Sequence, residues 1–280
     1  MTESKPLKII HFSDSHEPAA FETFRSFFDK RIIGYISSHS SRTALHDQAY
    51  TELAVERILQ ERPAAAIFTG DATSTGQKSE FDAAWKIFKP LAESDIPLIY
   101  VPGNHDVYVK DRRCQMALCE FYEKMWNGKR SFSRDPFIWT LDQLHFAVID
   151  SAVPCSFFLS HGVMSPESSD FLKQAALQND LNGSNSPLIY VGHFPLHWNR
   201  GPKAWRHGLC GASEAMDLLE KHKIDLSLCG HIHRPMAHLN ENGRGEIIAG
   251  SVSRFHCMAE ICYDRNQNRF SMQRIELKKP

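Results

Sequence analysis

Short apolar runs alternate with amphipathic stretches along most of the chain. Leu7-Lys8-Ile9-Ile10-His11-Phe12 reads as a buried strand. Behind it Phe21, Phe24, Phe27, Phe28, Ile32 and Tyr35 recur at helical spacing, with Glu22, Arg25, Asp29 and Lys30 on the other faces. That predicts an amphipathic helix which Gly34 ends or bends, followed by a loop from Ser37 to Arg42. Asp47 to Arg62 predicts a second helix, with Tyr50, Leu53, Ala54 and Ile58 on its apolar face and Pro63 as its stop. Ala64 to Phe68 is the next strand. Ser79-Glu80-Phe81-Asp82 has the pattern of a capping box and opens a helix carrying Phe81, Trp85 and Phe88. Ile96 to Val101 is a strand, 111–126 a helix and 127–136 a polar loop; Phe137 to Leu141 and Leu144 to Ile149 form a hairpin across Asp142-Gln143. Ser151 to Met164 is irregular. Ser165-Pro166-Glu167 starts a helix that runs towards Asp180. Leu188 to Val191 is a strand, a basic and aromatic loop continues to Gly211, and helix 212–222 leads into the strand Ile224 to Leu228. Gly245 to Ala249, Met258 to Asp264 and Phe270 to Leu277 complete the set as strands.

Alternating strands and helices predict an α/β sheet, in which ligands bind beyond the carboxyl ends of the strands. One pattern recurs at those ends. An apolar run stops, a small residue or turn follows, and a potential ligand comes next: Asp14 with His16, Asp71, Asn104 with His105, His193, and His231 with His233. Gly70, Gly103, Gly192 and Gly230 each stand just before the polar residue, where tight turns and close backbone approach suit glycine. His231 and His233 are two apart, so an extended backbone points both imidazoles the same way. Several imidazoles, two carboxylates and an amide oxygen exceed what one zinc takes. They suit two divalent ions of mixed nitrogen and oxygen preference, such as Mn²⁺, Fe or Zn²⁺. Purely soft ligation is absent, which disfavours an iron–sulfur cluster. No P-loop, nucleophile elbow or dinucleotide glycine fingerprint is present.

Composition narrows the setting. The chain has 280 residues, 42% hydrophobic and 23% charged, with no repeat and no clear linker, so a single domain over 1–280 is expected. A formal net charge of −1 supplies no global pull towards nucleic acid or anionic lipid, and no nucleic-acid partner is expected. Basic clusters at Lys129-Arg130 and from Arg200 to His207 are local. Seven scattered cysteines without a Cys-x-x-Cys read as reduced thiols, and a strand starting at Leu7 leaves no room for a signal peptide. A cytoplasmic location is the expectation. No apolar run reaches the roughly 18 residues of a spanning helix.

Asp14-x-His16, Gly70-Asp71, Gly103-Asn104-His105-Asp106, Gly192-His193 and Gly230-His231-x-His233 resemble the ordered motif set of the calcineurin-like metallophosphoesterases. The longer strings Val101-Pro102-Gly103-Asn104-His105-Asp106 and Gly230-His231-Ile232-His233-Arg234-Pro235 look most like the bacterial phosphohydrolase branch that includes cyclic-nucleotide phosphodiesterases. The resemblance implies a four-layer α/β/β/α sandwich of two mixed sheets flanked by helices. It implies two divalent metal ions, manganese first and iron or zinc next. Asp14, His16 and His233 would hold one ion, Asn104, His193 and His231 the other, and Asp71 would bridge. His105 would touch the phosphate and serve the leaving oxygen, with Asp106 orienting its neighbours. One departure stands out: many relatives carry a second aspartate where this chain has Ser74, and that aspartate partners the histidine.

The function expected is metal-dependent hydrolysis of a phosphodiester-type bond by a hydroxide held between two ions. A pyrophosphohydrolase of a nucleotide-linked lipid or sugar is the alternative within the class. A non-catalytic scaffold of the same fold is the alternative outside it, but a scaffold should lack ligands that are all present here. Beside Asn104 and His105, substrate contact is expected from His197 and Arg200, and His207 lies in the same loop; arginine suits phosphate oxygens. The Phe-rich stretch sits directly after Asp14-x-His16. It reads as a helical cap or lid around 18–46, either packed on the sandwich or positioned to meet a lipid-linked substrate or a membrane surface. Oligomeric state is not legible.

Overall fold

The computed structural model describes residues 6–18, 22–39, 46–181, 186–197 and 204–279. In the first of two large sheets β1 (Leu7–Phe12), β2 (Ala65–Phe68) and β3 (Leu98–Tyr100) run parallel. Beyond β1 come β12 (Cys257–Asp264) and β13 (Arg269–Glu276), both antiparallel to their neighbours, giving the order β13-β12-β1-β2-β3. The second sheet joins β4 (Phe137–Leu141), β5 (Leu144–Val148), β7 (Leu188–Val191), β9 (Leu226–Cys229), β11 (Gly245–Ile248) and β10 (Met236–Leu239) in the order β10-β11-β9-β7-β5-β4. Its central strands β5, β7, β9 and β11 are parallel. A small parallel pair, β6 (Gly162–Val163) and β8 (Leu209–Cys210), stands apart.

Burial explains the sequence pattern. Every residue of β2, β7 and β9 is buried, as expected for parallel strands covered on both faces, and each reads as an unbroken run of largely apolar residues. The edge strands β4 and β13 are only partly covered and mix polar with apolar residues. Helices α2 (Ala49–Glu61), α3 (Lys78–Ala92) and α4 (Arg112–Met125) pack side by side with the first sheet. Helices α5 (Pro166–Leu181) and α7 (Ser213–Glu220) pack with the second. The layers are therefore helix, sheet, sheet, helix, as expected. An aromatic cluster of Phe12, Phe68, Phe88, Tyr100 and Phe121 fills the first sheet's helix-covered side; Phe68 meets Phe12, Phe88 and Tyr100, and Tyr100 meets Phe121, with ring centroids 4.8–5.6 Å apart. Burying each such ring contributes about 1.5–3 kcal/mol.

Several expectations need correction. The Phe-rich stretch is not one helix. Phe24–Phe28 forms a 3₁₀ turn, the chain extends at Asp29, and α1 (Arg31–His39) follows. The break is chemical: Asp29 turns back to accept from the Arg31 backbone and guanidinium, at 2.9 Å and 2.7 Å. Phe24, Phe27, Phe28 and Ile36 are consequently exposed and do not form a packed face. Phe21, and the loop from 40 to 45, lie outside the described residues. The capping box at Ser79 is absent too: α3 begins at Lys78, and the Glu80 carboxylate bonds the turn before the helix. Strand β10, the two-residue strands β6 and β8, and the four-residue helices α6 (Ala204–His207) and α8 (Val252–Phe255) were not foreseen. Elements so short carry no readable periodicity.

Candidate metal centre

The carboxyl ends of β1, β2, β3, β7 and β9 open onto one edge where the two sheets meet. Close approach at this edge, across the two sheets at Gly230 and between neighbouring loops of the first sheet at Gly103, is built into the sequence. A Cβ on Gly230 would stand 2.0 Å from Ser13 Oγ, and one on Gly103 only 2.1 Å from Asp71 Oδ1. Asp14, His16, Asp71, His231 and His233 all adopt left-handed backbone, with φ between 49° and 70°. For residues other than glycine this costs about 1–2 kcal/mol each, and such strain gathers where side-chain aim matters.

One group is formed by Asp14, His16, Asp71 and His233, whose ligand atoms all lie within 4.8 Å of one another. His16 Nε2 is 3.0 Å from His233 Nε2, 3.6 Å from Asp14 Oδ1 and 3.7 Å from Asp71 Oδ2. A second group adjoins it. His193 Nε2 lies 3.1 Å from Asn104 Oδ1 and 3.3 Å from Asp71 Oδ2, and His231 Nδ1 lies 2.8 Å from the same Asn104 oxygen. Asp71 Oδ2 is shared by both groups.

Backbone partners fix what these atoms offer. The His193 Nδ1–H donates to the Thr69 carbonyl at 2.6 Å, the His231 Nε2–H to the His207 carbonyl at 2.7 Å and the His16 Nδ1–H to the Thr73 carbonyl at 3.3 Å. A carbonyl only accepts, so the other nitrogen of each ring turns a lone pair inwards. The carboxylates repeat the arrangement. Asp14 Oδ2 accepts from the His231 amide and Asp71 Oδ1 from the His105 amide, while Asp14 Oδ1 and Asp71 Oδ2 are buried without a hydrogen-bond partner. Lone pairs thus converge on lone pairs, with a proton on His193 as the one donor that the cluster itself can place between them. Buried acceptors left that way are costly, and cations are what such a set binds. The donor types fit divalent ions of mixed nitrogen and oxygen preference. Burial holds His16, His231 and His233 down at about 3, in the neutral form that ligates. Burial also pushes His193 down, but the adjacent Asp71 carboxylate outweighs it and lifts His193 to about 9. A proton and a metal therefore compete for that lone pair.

His105 sits at the rim of this cluster and lines the pocket beside it. Its Nδ1–H donates to the Ser74 carbonyl at 2.7 Å, and its ring stacks on Tyr108. Asp106 is 1% exposed and does not line the pocket. Its carboxylate accepts from the amides of Asp71, Thr73 and Gly103, from Thr73 Oγ1 and from the Tyr100 hydroxyl. It clamps the loops after β2 and β3 together and roots them in the aromatic cluster. His197 accompanies Glu246, 3.4 Å away, and is not in the pocket wall; Arg200 lies outside the described residues.

The pocket, of about 470 Å³, runs from His16, Asn104, His105 and His233 to Lys30, Ile33, Phe158, Leu159, Arg206, His207 and Arg254. His46, Lys30, Tyr108, Arg206 and Arg254 were not singled out in the sequence. His46 stacks edge-on against His16 at 5.1 Å and bonds Ser253 at 2.8 Å. For Arg254 a signal existed. Ile247-Ile248-Ala249-Gly250 repeats the run-and-glycine pattern of the ligand strands, and Ser251 just beyond it donates to the Asp14 carbonyl at 2.7 Å. His46 and Lys30 follow no strand and carried no signal.

Known proteins resemble this chain at modest identity. A probable glycerophosphodiester phosphodiesterase, GpdQ, of Arcobacter nitrofigilis is 27% identical over 201 residues, covering 69% of this chain and 65% of that protein. Tartrate-resistant acid phosphatase type 5 of Sus scrofa is 25% identical over 182 residues, covering 59% of this chain and 49% of that protein. The matches span about two thirds of the first relative's length and about half of the second's. A dimetal phosphatase from Danio rerio superposes with a TM-score of 0.61 at 12% identity, covering 96% of this chain and 99% of that one, a likeness of fold. The model of the family described as calcineurin-like phosphoesterase matches residues 7–235, and the chain belongs to that family.

Proposed function

We propose that the protein is a dinuclear metal-dependent phosphodiesterase. The observation that carries this reading is Asp71: one oxygen is pinned by the His105 amide and the other, without a partner, faces lone pairs from two ligand groups. Asp14, His16 and His233 would hold one ion and Asn104, His193 and His231 the other, with Asp71 shared by both groups. Ions bound there would supply Lewis-acid neutralisation of phosphoryl charge and a nucleophile at neutral pH.

The chain's own groups do the rest. Backbone carbonyls of Thr69, Thr73 and His207 fix the tautomers of His193, His16 and His231, so each ring presents a lone pair. The Ser74 carbonyl fixes a hydrogen on His105 Nδ1, leaving Nε2 as the nitrogen of this pocket-lining ring that would hold or deliver a proton to the leaving oxygen. Arg206 and Arg254 add positive charge along the pocket wall. A space of about 470 Å³ leaves room for substituents on both sides of a phosphate, which favours a diester over a monoester. The likeness to GpdQ supports the same preference. Three cations in the wall, Lys30, Arg206 and Arg254, favour a pyrophosphate-type diester as the second reading.

The test is hydrolysis of bis-p-nitrophenyl phosphate against p-nitrophenyl phosphate by protein stripped of metal and reloaded with Mn²⁺, with Asp71→Asn as control. The expected outcome is a diester preference that disappears, together with bound metal, in the variant. A monoester preference would overturn the diesterase reading, and metal-independent turnover would overturn the metal centre.

A further inference from the structure

The large aromatic residues that phosphoryl chemistry leaves unused gather at one place. Phe24 and Phe28, 79% and 73% exposed, meet at 5.2 Å, with Phe27 at 6.2 Å from Phe24. Phe157 and Phe158 pair at 6.5 Å, and Phe158 belongs to the pocket wall. Trp205, 64% exposed, precedes Arg206, another wall residue. Polar bonds lock the three segments into one frame. Lys30 Nζ donates to the Leu159 carbonyl at 2.8 Å, Arg206 Nη2 to the Phe158 carbonyl at 3.2 Å and the Ser160 amide to the Arg206 carbonyl at 2.9 Å. The aromatic residues are thus held out into solvent by ordered backbone. Exposed aromatic surface of this kind forgoes hydrophobic stabilisation in proportion to its area, and grouped exposed apolar residues mark interaction surfaces.

The pocket that opens inside this rim is two-natured. Pro18, Ile33, Phe158 and Leu159 make apolar wall. Lys30, Arg206 and Arg254 bring positive charge, and no carboxylate lines the pocket among the described residues. Beyond them lies the cluster of inward-facing lone pairs.

We propose that the rim is a docking surface for an anionic lipid bilayer, and that the substrate is a phosphodiester with a hydrocarbon tail taken from that bilayer. The substrate half rests on the phosphodiesterase reading above. Charge selects the bilayer over a protein partner. Trp205 and Phe158 flank Arg206, Asp29 beside Phe28 is neutralised by Arg31, and the pocket wall behind them carries Lys30, Arg206 and Arg254 and, among the described residues, no carboxylate, a charge that complements negative headgroups. Protruding aromatic residues also insert among acyl chains without needing the packed, shape-matched patch of a protein interface. The phosphate goes to the metal cluster, and the first part of the tail lies along Ile33, Phe158 and Leu159.

The test uses Mn²⁺-loaded protein and the triple variant Phe24→Ser, Phe28→Ser, Trp205→Ser, which alters exposed side chains outside the pocket wall. Co-sedimentation is measured with vesicles of phosphatidylcholine alone and of equal phosphatidylcholine and phosphatidylglycerol. Turnover is measured on bis-p-nitrophenyl phosphate, and on p-nitrophenyl dodecyl phosphate and p-nitrophenyl ethyl phosphate in the mixed vesicles. The native protein should bind mixed vesicles about tenfold more than neutral ones and prefer the dodecyl ester by about tenfold. The variant should lose both advantages and keep bis-p-nitrophenyl phosphate turnover within about twofold. Native protein that stays in the supernatant, or a variant that binds equally well, would overturn the docking surface. So would a native dimer in light scattering that the variant converts to monomer, because the rim would then belong to a second copy. Vesicle binding as expected with no turnover of bis-p-nitrophenyl phosphate would overturn the phosphodiesterase reading and the substrate half, and support the docking half.

Discussion

The His105 imidazole donates from Nδ1 to the Ser74 carbonyl oxygen at 2.7 Å. Many relatives would place a carboxylate at position 74, and here a backbone carbonyl takes up the same ring nitrogen. A carbonyl fixes the tautomer and the ring's aim as a carboxylate would, but it adds no full negative charge beside the imidazole. The Ser74 side chain is turned away and donates to the Glu17 carbonyl at 2.6 Å. His105 also stands between His16 and Tyr108, with ring centroids at 4.8 Å and 5.2 Å.

If His105 serves the leaving oxygen, removing it should damage chemistry and leave the metal cluster whole. His105→Ala is expected to lower kcat by about 10²–10⁴-fold. Metal content, measured by plasma emission, should stay at the native level, because the amide that pins Asp71 Oδ1 is backbone and survives the substitution. Full activity in His105→Ala would remove it from the mechanism.

Asp106 should report on stability. Its carboxylate accepts from three backbone amides in the loops after β2 and β3, in a site that is 1% exposed. Asp106→Ala leaves those donors buried without an acceptor and should cost about 3 kcal/mol or more in urea unfolding. Because Asp71 loses its anchor as well, metal affinity should fall in the same variant. A loss below about 1 kcal/mol would mean that water or a relaxed loop takes over.

Glu80 ties the Ser74 turn to the rest of the fold and should give stability a pH dependence. Its carboxylate accepts from the Ser74 and Thr75 amides at 2.9 Å and 2.7 Å and from the Thr75 hydroxyl. Burial pushes Glu80 up from 4.5 to about 7, against the lowering effect of those bonds. The folded state therefore keeps its proton after the unfolded chain has lost one. Between pH 4.5 and 7 the native state binds more protons, so this group's contribution to stability falls as pH rises, by roughly 3 kcal/mol in all, and is level above that window. Urea unfolding of the native protein and Glu80→Gln at pH 5 and pH 7.5 gives the difference. The native protein should lose ground to the variant at the higher pH; an equal gap at both would refute the assignment.

Much of the site was legible in the sequence, because its chemistry is carried by local punctuation. A parallel strand buried on both faces must be a short, largely apolar run, and it must end in a turn before its ligand. Asp14, Asp71, Asn104, His193 and His231 follow that grammar, and the strand ends that carry them do converge on one edge. Alternating runs likewise determined the α/β class and most element boundaries. What the sequence could not determine was everything that depends on distance between segments far apart in the chain. The 3₁₀ turn at Phe24–Phe28 was hidden because periodicity cannot register an Asp29 carboxylate folding back on Arg31. The role of Ser74 was hidden because its carbonyl does the work, and a backbone atom leaves no trace in residue type. His46 and Lys30 reach the pocket from segments with no strand pattern, brought there by packing alone. Residue identity decided which atoms could bind an ion or move a proton. Tertiary structure decided which of those atoms face one another, because hydrogen bonds to backbone groups from distant strands orient each ring and each carboxylate.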